Sequence, residues 1–327
     1  MKSRQLPDGL CEACFKESGG AVPCPQCGYD PRRPIEDWSK LPPGFTLENR
    51  FVVGRALGQG GFGITYLAYD SSLSFRVALK EYFPRGLSTR HHTACSVLCS
   101  QPDEKENFEY GKKKFIEEAR SAAQFDNHPN IAIVRDFFET NGTAYIVMNY
   151  YEGTDFMHYL KTFGNKVSFP EAMRYLSPVM KALDDIHARG IVHRDVSPDN
   201  IFITSDGGVR LLDFGAAKSV FAARVSHSVP IGKEGYCPPE QMTGKEIGPW
   251  TDVYGMAATL YRALTGEVPA SLGERWENEN ALPPPSARGA RVSKDVDAAI
   301  LRGLSLKRQD RWQSMFAFEE ALKGPDS

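Results

Sequence analysis

His193-Arg194-Asp195-Val196-Ser197-Pro198-Asp199-Asn200 is the stretch that decides how this chain is read. It holds a carboxylate at Asp195 and an amide at Asn200, five residues apart, and Asp213-Phe214-Gly215 begins thirteen residues after Asn200. Upstream lie a glycine-rich turn, Gly58-Gln59-Gly60-Gly61-Phe62-Gly63, and Lys80 at the end of an alternating run. Carboxylate and amide oxygens are hard donors of the kind Mg2+ takes. Glycines without side chains let backbone N–H groups come close to phosphates. This order and spacing suit phosphoryl transfer from a metal-bound nucleotide to a hydroxyl.

The flanking patterns supply scaffolding. Phe51–Leu57 leads into the glycine turn and Ile64–Tyr69 leads out, which predicts a hairpin. Phe75, Val77 and Leu79 alternate with Arg76, Ala78 and Lys80, so Ala78 and Lys80 share one strand face. Phe115, Ala119, Ala122 and Phe125 recur at helical spacing, with Glu118 beside that stripe and Glu117 rotated away. Strands are expected around Ile133–Phe138 and Tyr145–Tyr150. Helical periodicity dominates from about Glu171, interrupted by a hairpin that turns at Ser205-Asp206-Gly207-Gly208. A strand-rich first part and a helix-rich second part predict an α+β fold of two lobes with a cleft between them.

With these motifs in order, the chain resembles a eukaryotic-type protein kinase, and more narrowly a bacterial serine/threonine kinase. The resemblance runs from about Leu47 to Lys323. GQGGFGITY is similar to the glycine loop, VALKEYFP to the lysine strand and FIEEAR to the glutamate helix. HRDVSPDN and DFG match the catalytic and metal loops, and YCPPEQ stands where relatives carry APE. TDVYGMAATLYRALTG is similar to the central helix of the large lobe, and DRWQS to a late arginine motif. A lone glycine loop would be weak support, but these motifs in register are specific. The implied boundaries are a catalytic domain over 47–325, with a β-rich N-lobe over 47–150 and a helical C-lobe over 151–325.

The resemblance implies roles. Lys80 would bind the α- and β-phosphates of ATP, held by Glu118, while Glu117 would be an exposed helix carboxylate. Asp195 would accept or orient the substrate hydroxyl proton, and Asn200 and Asp213 would ligate Mg2+. Leu57, Gly58, Gly60, Gly63, Thr65 and Ala78 would line the nucleotide site. Met148 stands at the gatekeeper position, Asn149 and Tyr151 would offer backbone groups to adenine, and Asp155 would bond the ribose. His193 would be structural, and Arg194 would neutralise a phosphorylated segment. Asp252 would brace the catalytic loop, and Glu240 with Arg311 would form a buried ion pair. Protein serine and threonine hydroxyls would be the acceptors. Ser219, Ser226 and Ser228 are the candidate autophosphorylation sites. A nucleotide-binding pseudokinase scaffold and a small-molecule kinase are the alternatives.

The pattern departs from the family at two places. Ser197 stands where serine/threonine kinases usually carry a lysine, and Lys233 stands where they usually carry a threonine. Hydroxyl and amine have exchanged places, so Lys233 is expected to reach toward Asp195 with Ser197 as its partner. The alternative is a solvated Lys233 and a slow enzyme.

Cysteines define a second feature. Four of the seven fall in the first 27 residues, as Cys11-x-x-Cys14 and Cys24-x-x-Cys27, with nine residues between the pairs. Two such knuckles complete an all-sulfur tetrahedron, which predicts a structural zinc ribbon over residues 1–35. A segment that small needs the metal for its folding energy. An iron site would use the same ligands, and four free thiols in a tail is the bland reading. The ribbon either meets a protein partner or docks on the rest of the chain. A proline-rich linker over 36–46 follows, with Trp38 as its candidate anchor. Residues 81–107, with His91, His92, Cys95 and Cys99, are expected to be a mobile surface insertion, a second metal site being the sharper alternative.

Composition narrows the remaining classes. A net charge of −2 argues against nucleic-acid binding by bulk charge. No apolar run reaches the ~18 residues of a membrane span, and the N-terminus lacks the apolar core of a secretory signal. A cytoplasmic setting is expected, and a longer parent protein with a membrane segment beyond Ser327 is compatible with it.

Overall fold

The computed structural model describes residues 6–34, 37–91, 93–214, 233–278 and 281–324. Ser219, Ser226, Ser228 and His92 lie outside the described residues. The chain divides into one unit of residues 1–126 and 133–150 and a second of residues 127–132 and 151–327. The first unit is rich in strands and the second in helices.

The first unit is built on a six-stranded antiparallel sheet of order β1-β2-β3-β4-β8-β7. The strands are β1 (Thr46–Leu47), β2 (Phe51–Gln59), β3 (Gly63–Asp70) and β4 (Phe75–Tyr82), then, past a two-stranded ribbon of β5 (Ser88–Arg90) and β6 (Val97–Cys99), β7 (Val134–Thr140) and β8 (Thr143–Asn149). Strand β4 is central, and from Val77 to Tyr82 both of its faces are buried. Helix α1 (Lys105–Ala122) covers the face that carries Lys80 and Tyr82. Phe108 and Phe115 of that helix meet the Tyr82 ring at 5.2 and 5.6 Å between centroids. The opposite face holds Glu81, fully buried.

Glu81 explains residues 81–107, which are not a loose insertion. Its carboxylate accepts from Arg90 Nη2, from Tyr66 OH at 3.1 Å and from Tyr145 OH at 2.6 Å. Arg90 continues to the carbonyls of Ser39 and Cys95, both at 2.8 Å. A buried carboxylate needs such partners, and the chain supplies them by folding β5 and β6 back over it. The same network fixes the linker, because Leu41 N–H donates to Tyr66 OH at 3.1 Å. Leu41, at 2% exposure, is the buried anchor of the linker, whereas Trp38 is half exposed. Among the described residues, His91, Cys95 and Cys99 join no metal-ligating group.

The second unit is helical. Its elements are a three-stranded sheet of order β11-β10-β9 (β9 Gly153–Asp155, β10 Ile201–Thr204, β11 Val209–Leu211) and helices α2 (Phe156–Thr162), α3 (Phe169–Ala188), α4 (Pro239–Thr243), α5 (Pro249–Thr265), α6 (Leu272–Glu277), α7 (Lys294–Gly303) and α8 (Met315–Lys323). Residues 127–132 belong here because Leu211 exchanges backbone bonds with Asn130 and Ala132. Helix α5 is buried on all sides from Thr251 to Thr265, as a central helix must be. Serine caps start α3, α6, α7 and α8 by accepting a backbone N–H three residues on. No described helix is long and apolar enough to cross a membrane.

Candidate active site

The glycine turn is tied down at its flanks. Gly60 N–H donates to Gly63 O at 2.9 Å, while Phe83 and Arg85 donate to the carbonyls of Phe62 and Gly61 at 3.0 and 2.8 Å. The three sequence glycines differ in cause. A Cβ on Gly63 would sit 2.4 Å from Glu81 O, so packing of β3 on β4 alone demands glycine there. A Cβ on Gly58 or Gly60 would meet nothing within 4 Å. Packing does not explain those two.

Lys80 is 8% exposed and Glu118 4% exposed, with Lys80 Nζ 3.5 Å from Glu118 Oε1. Glu117 instead pairs with Lys114 at the surface. Cross-strand register places Thr65 opposite Lys80, and Ala78 between Leu67 and Met148. Asn149 N–H is committed to Ile133 O at 3.0 Å, so what it can offer a ligand is its carbonyl. Leu57 is 37% exposed on β2.

In the second unit the loop 193–200 is braced from below. Asp252 accepts from the N–H groups of His193 and Arg194 at 2.8 and 2.7 Å and pairs with His187 Nε2 at 2.7 Å. Arg194 holds a positive φ of 69°, a strained state for a non-glycine residue. The Asp252 bond and a 2.9 Å bond from Gln241 Nε2 to Arg194 O over-determine that conformation. Gly255 of α5 permits the brace, because a Cβ there would lie 2.7 Å from Val196 O. Gln241 ends the YCPPEQ motif and Gly255 lies within TDVYGMAATLYRALTG, yet the motifs alone gave neither residue a role.

His193 is fully buried, with its Nε2 2.9 Å from Leu212 O and its ring 5.1 Å from that of Phe214. Asn200 Nδ2 donates to Asp195 O at 2.7 Å and to Asp195 Oδ2 at 2.6 Å. This fixes the carboxylate and turns the Asn200 amide oxygen away from it. Asp213 follows β11 with a φ of 47°. Asp155 caps α2: its Oδ1 accepts from His158 N–H at 2.8 Å and its Oδ2 lies 2.6 Å from His158 Nδ1. A ribose contact there would share the carboxylate with the cap. Tyr151 is half-buried, with the Arg210 guanidinium 5.1 Å over its ring. Lys233 Nζ lies 2.9 Å from Ser197 Oγ and 2.8 Å from Asp199 Oδ2. Farther back, Arg311 and Glu240 form a fully buried bidentate pair at 2.7 and 3.0 Å. Breaking such a pair costs about 3–5 kcal/mol.

The four cysteines converge. Their sulfurs all lie within 4.8 Å of one another, with Cys11 3.8 Å from Cys27 and Cys14 3.9 Å from Cys24. Four bonds of ~2.3 Å to a tetrahedral zinc imply sulfur–sulfur edges of about 3.8 Å. Burial raises the Cys24 thiol, but N–H groups of Gln26 and Cys27, together with the Cys11 and Cys27 thiols, bring it down to about 7. Burial, and then the neighbouring thiols, push Cys27 up to about 12 against a Tyr29 N–H bond. The segment docks on the sheet: Phe15 is buried against Val52, Leu67 and Tyr69, and Arg55 N–H donates to Ala13 O at 2.9 Å. A Cβ on Gly54 would lie 2.7 Å from Ala13 O, so glycine is needed for this approach.

Comparison with known proteins places the chain in a family. The family model for the protein kinase domain matches residues 51–283, and the chain belongs to that family. Among its relatives are the serine/threonine-protein kinases PknH and PknA of Mycobacterium tuberculosis. PknH is 31% identical over 282 residues, 83% of this chain and 42% of that protein. PknA is 37% identical over 232 residues, 69% of this chain and 49% of that protein. The chain thus spans less than half the length of these relatives. Among solved structures, the apo form of PpkA-294 is similar at a TM-score of 0.78 and 34% identity, covering 87% of this chain and 99% of that one. The PknI kinase domain of Mycobacterium tuberculosis is similar at a TM-score of 0.64 and 27% identity, covering 87% and 98%.

Proposed function

We propose that this protein is an ATP- and Mg2+-dependent kinase that phosphorylates serine and threonine hydroxyls of proteins. One observation carries the reading: Asn200 holds Asp195 through two short bonds, one to its carboxylate and one to its backbone carbonyl, on a loop whose backbone Asp252 clamps. A carboxylate fixed in this way is suited to a hydroxyl proton. The acceptor oxygen forms a bond to the γ-phosphorus while the bond to the β–γ bridging oxygen breaks. ADP leaves with that electron pair, and the hydroxyl proton passes to Asp195.

Lys80, set by Glu118, would bind the α- and β-phosphates. Gly58 and Gly60 would let backbone N–H groups reach the phosphates, with Gly63 shaping the turn. Leu57, Thr65, Ala78, Met148, Asn149 and Tyr151 would surround adenine. Asn200 Oδ1 and the Asp213 carboxylate are hard donors that fit Mg2+, which when bound neutralises charge developing on the phosphates. Cys11, Cys14, Cys24 and Cys27 would hold Zn2+, with the sulfur spacing as support. A closed four-thiolate site has no open position, so its role is structural. A cytoplasmic setting, where thiols stay reduced, fits this ligand set. Autophosphorylation at Ser219, Ser226 or Ser228 belongs to the same proposal.

The test is incubation of the purified chain with labelled ATP, Mg2+ and a generic protein acceptor. Label on phosphoserine and phosphothreonine is expected. Nucleotide binding with no transfer would make the chain a pseudokinase instead.

A further inference from the structure

The stretch Asp195–Asn200 carries two carboxylates and no amine. The phosphoryl group passing along it is itself strongly anionic, so a cation has to come from elsewhere. Lys233 stands at the place where one is delivered. Its Nζ lies 2.9 Å from Ser197 Oγ and 2.8 Å from Asp199 Oδ2. Ser197 is fully buried, so its hydroxyl needs an internal partner, and the Lys233 amine is one. The placement does not depend on one contact. Tyr236 and Cys237 N–H groups both donate to Lys233 O, at 3.0 and 3.1 Å, which winds the residue into a turn. Eight residues on, Gln241 bonds Arg194 O at 2.9 Å. The segment is therefore pinned to the loop on both sides of Asp195. Tyr236 and Cys237, between the two pins, are buried.

We propose that Lys233 supplies, from outside the catalytic loop, the positive charge that stabilises the transferring phosphoryl group, and that Asp199 and Ser197 are positioning residues that hold its amine. The amine takes no part in proton transfer, and Asp195 still takes the hydroxyl proton. A charged donor aimed at developing charge contributes in the transition state rather than in nucleotide binding. Because the amine arrives on a different segment from Asp195, turnover depends on that segment being docked. Within HRDVSPDN the resemblance gives Asp199 no role; its contact with Lys233 supplies one.

This inference rests on the phosphotransferase reading, and the experiment separates the two. Turnover and KM for ATP are measured on the full chain for the wild type, Lys233→Thr, Lys233→Thr with Ser197→Lys, and Asp199→Asn. Thermal melting checks that each folds. Lys233→Thr is expected to lose about a hundredfold in kcat with KM for ATP little changed. Returning an amine by Ser197→Lys is expected to restore at least about a tenth of wild-type kcat, a level the loss of a purely structural tie would not recover. Asp199→Asn keeps shape and loses charge, so kcat falls several-fold and KM holds. Near wild-type turnover in Lys233→Thr overturns the proposal. So does a double variant that binds ATP normally yet turns over no faster than Lys233→Thr. If the single lysine variant fails to fold, unchanged kcat in Asp199→Asn overturns it. No transfer by the wild type would instead remove the phosphotransferase reading.

Discussion

Cys237 shows how a side chain beside the loop reports on the loop. Burial, and then the charges of Asp195 and Glu240, push its thiol up to about 12 from an ordinary value near 9. At neutral pH it is a packed thiol and not a nucleophile. The folded state keeps this proton at pH values where the unfolded chain has lost it. Its contribution to stability is therefore whole below about pH 9 and declines as pH rises toward about 12. We expect Cys237 to resist iodoacetamide at pH 8 in the native protein and to react in urea, read by mass spectrometry. Rapid native labelling would show that the 233–241 stretch is not docked as described.

At the scale of elements, the N-terminal segment and the glycine hairpin share a core. Phe15 joins Val52 of β2 with Leu67 and Tyr69 of β3, the two strands that flank the Gly60–Phe62 turn. Cys11 and Cys14, proposed metal ligands, bracket Ala13, whose carbonyl takes the Arg55 N–H. Ordering of the cysteines and ordering of β2 are thus physically linked. Truncating a buried phenylalanine costs about 3–5 kcal/mol, so Phe15→Ala should lower the melting temperature of the first unit. Metal removal by a chelator should lower that same transition, because bound metal contributes folding energy. Two independent transitions, with only a small early one sensitive to the chelator, would contradict a shared core.

The whole molecule was legible where chemistry sits in short motifs. Lys80 and Glu118 were readable from a strand parity and a helical stripe, and the structure brings them to 3.5 Å. The contact between Lys233 and Ser197 was readable because two family positions had exchanged residue types. What escaped was tertiary in origin. Glu81 and Arg90 look like surface charges in a row of residues, yet they form the buried centre that folds residues 81–107. Trp38 drew attention as the large aromatic of the linker, but Leu41 fits the gap beside Tyr66. Asp199, Gln241 and Gly255 act only through where the chain crosses itself.

Lys80, Gly58 and Gly60, proposed to bind the phosphates, belong to one unit, and Asp195, Asn200 and Asp213 to the other. The central claim is that Asp195 acts on the acceptor hydroxyl and not on nucleotide binding. The decisive measurement is Asp195→Asn against the wild type, with ATP affinity and phosphotransfer followed on the same samples. The account predicts ATP affinity within a few-fold of wild type and turnover lower by about a hundredfold to ten-thousandfold. Transfer at the wild-type rate in that variant would contradict it.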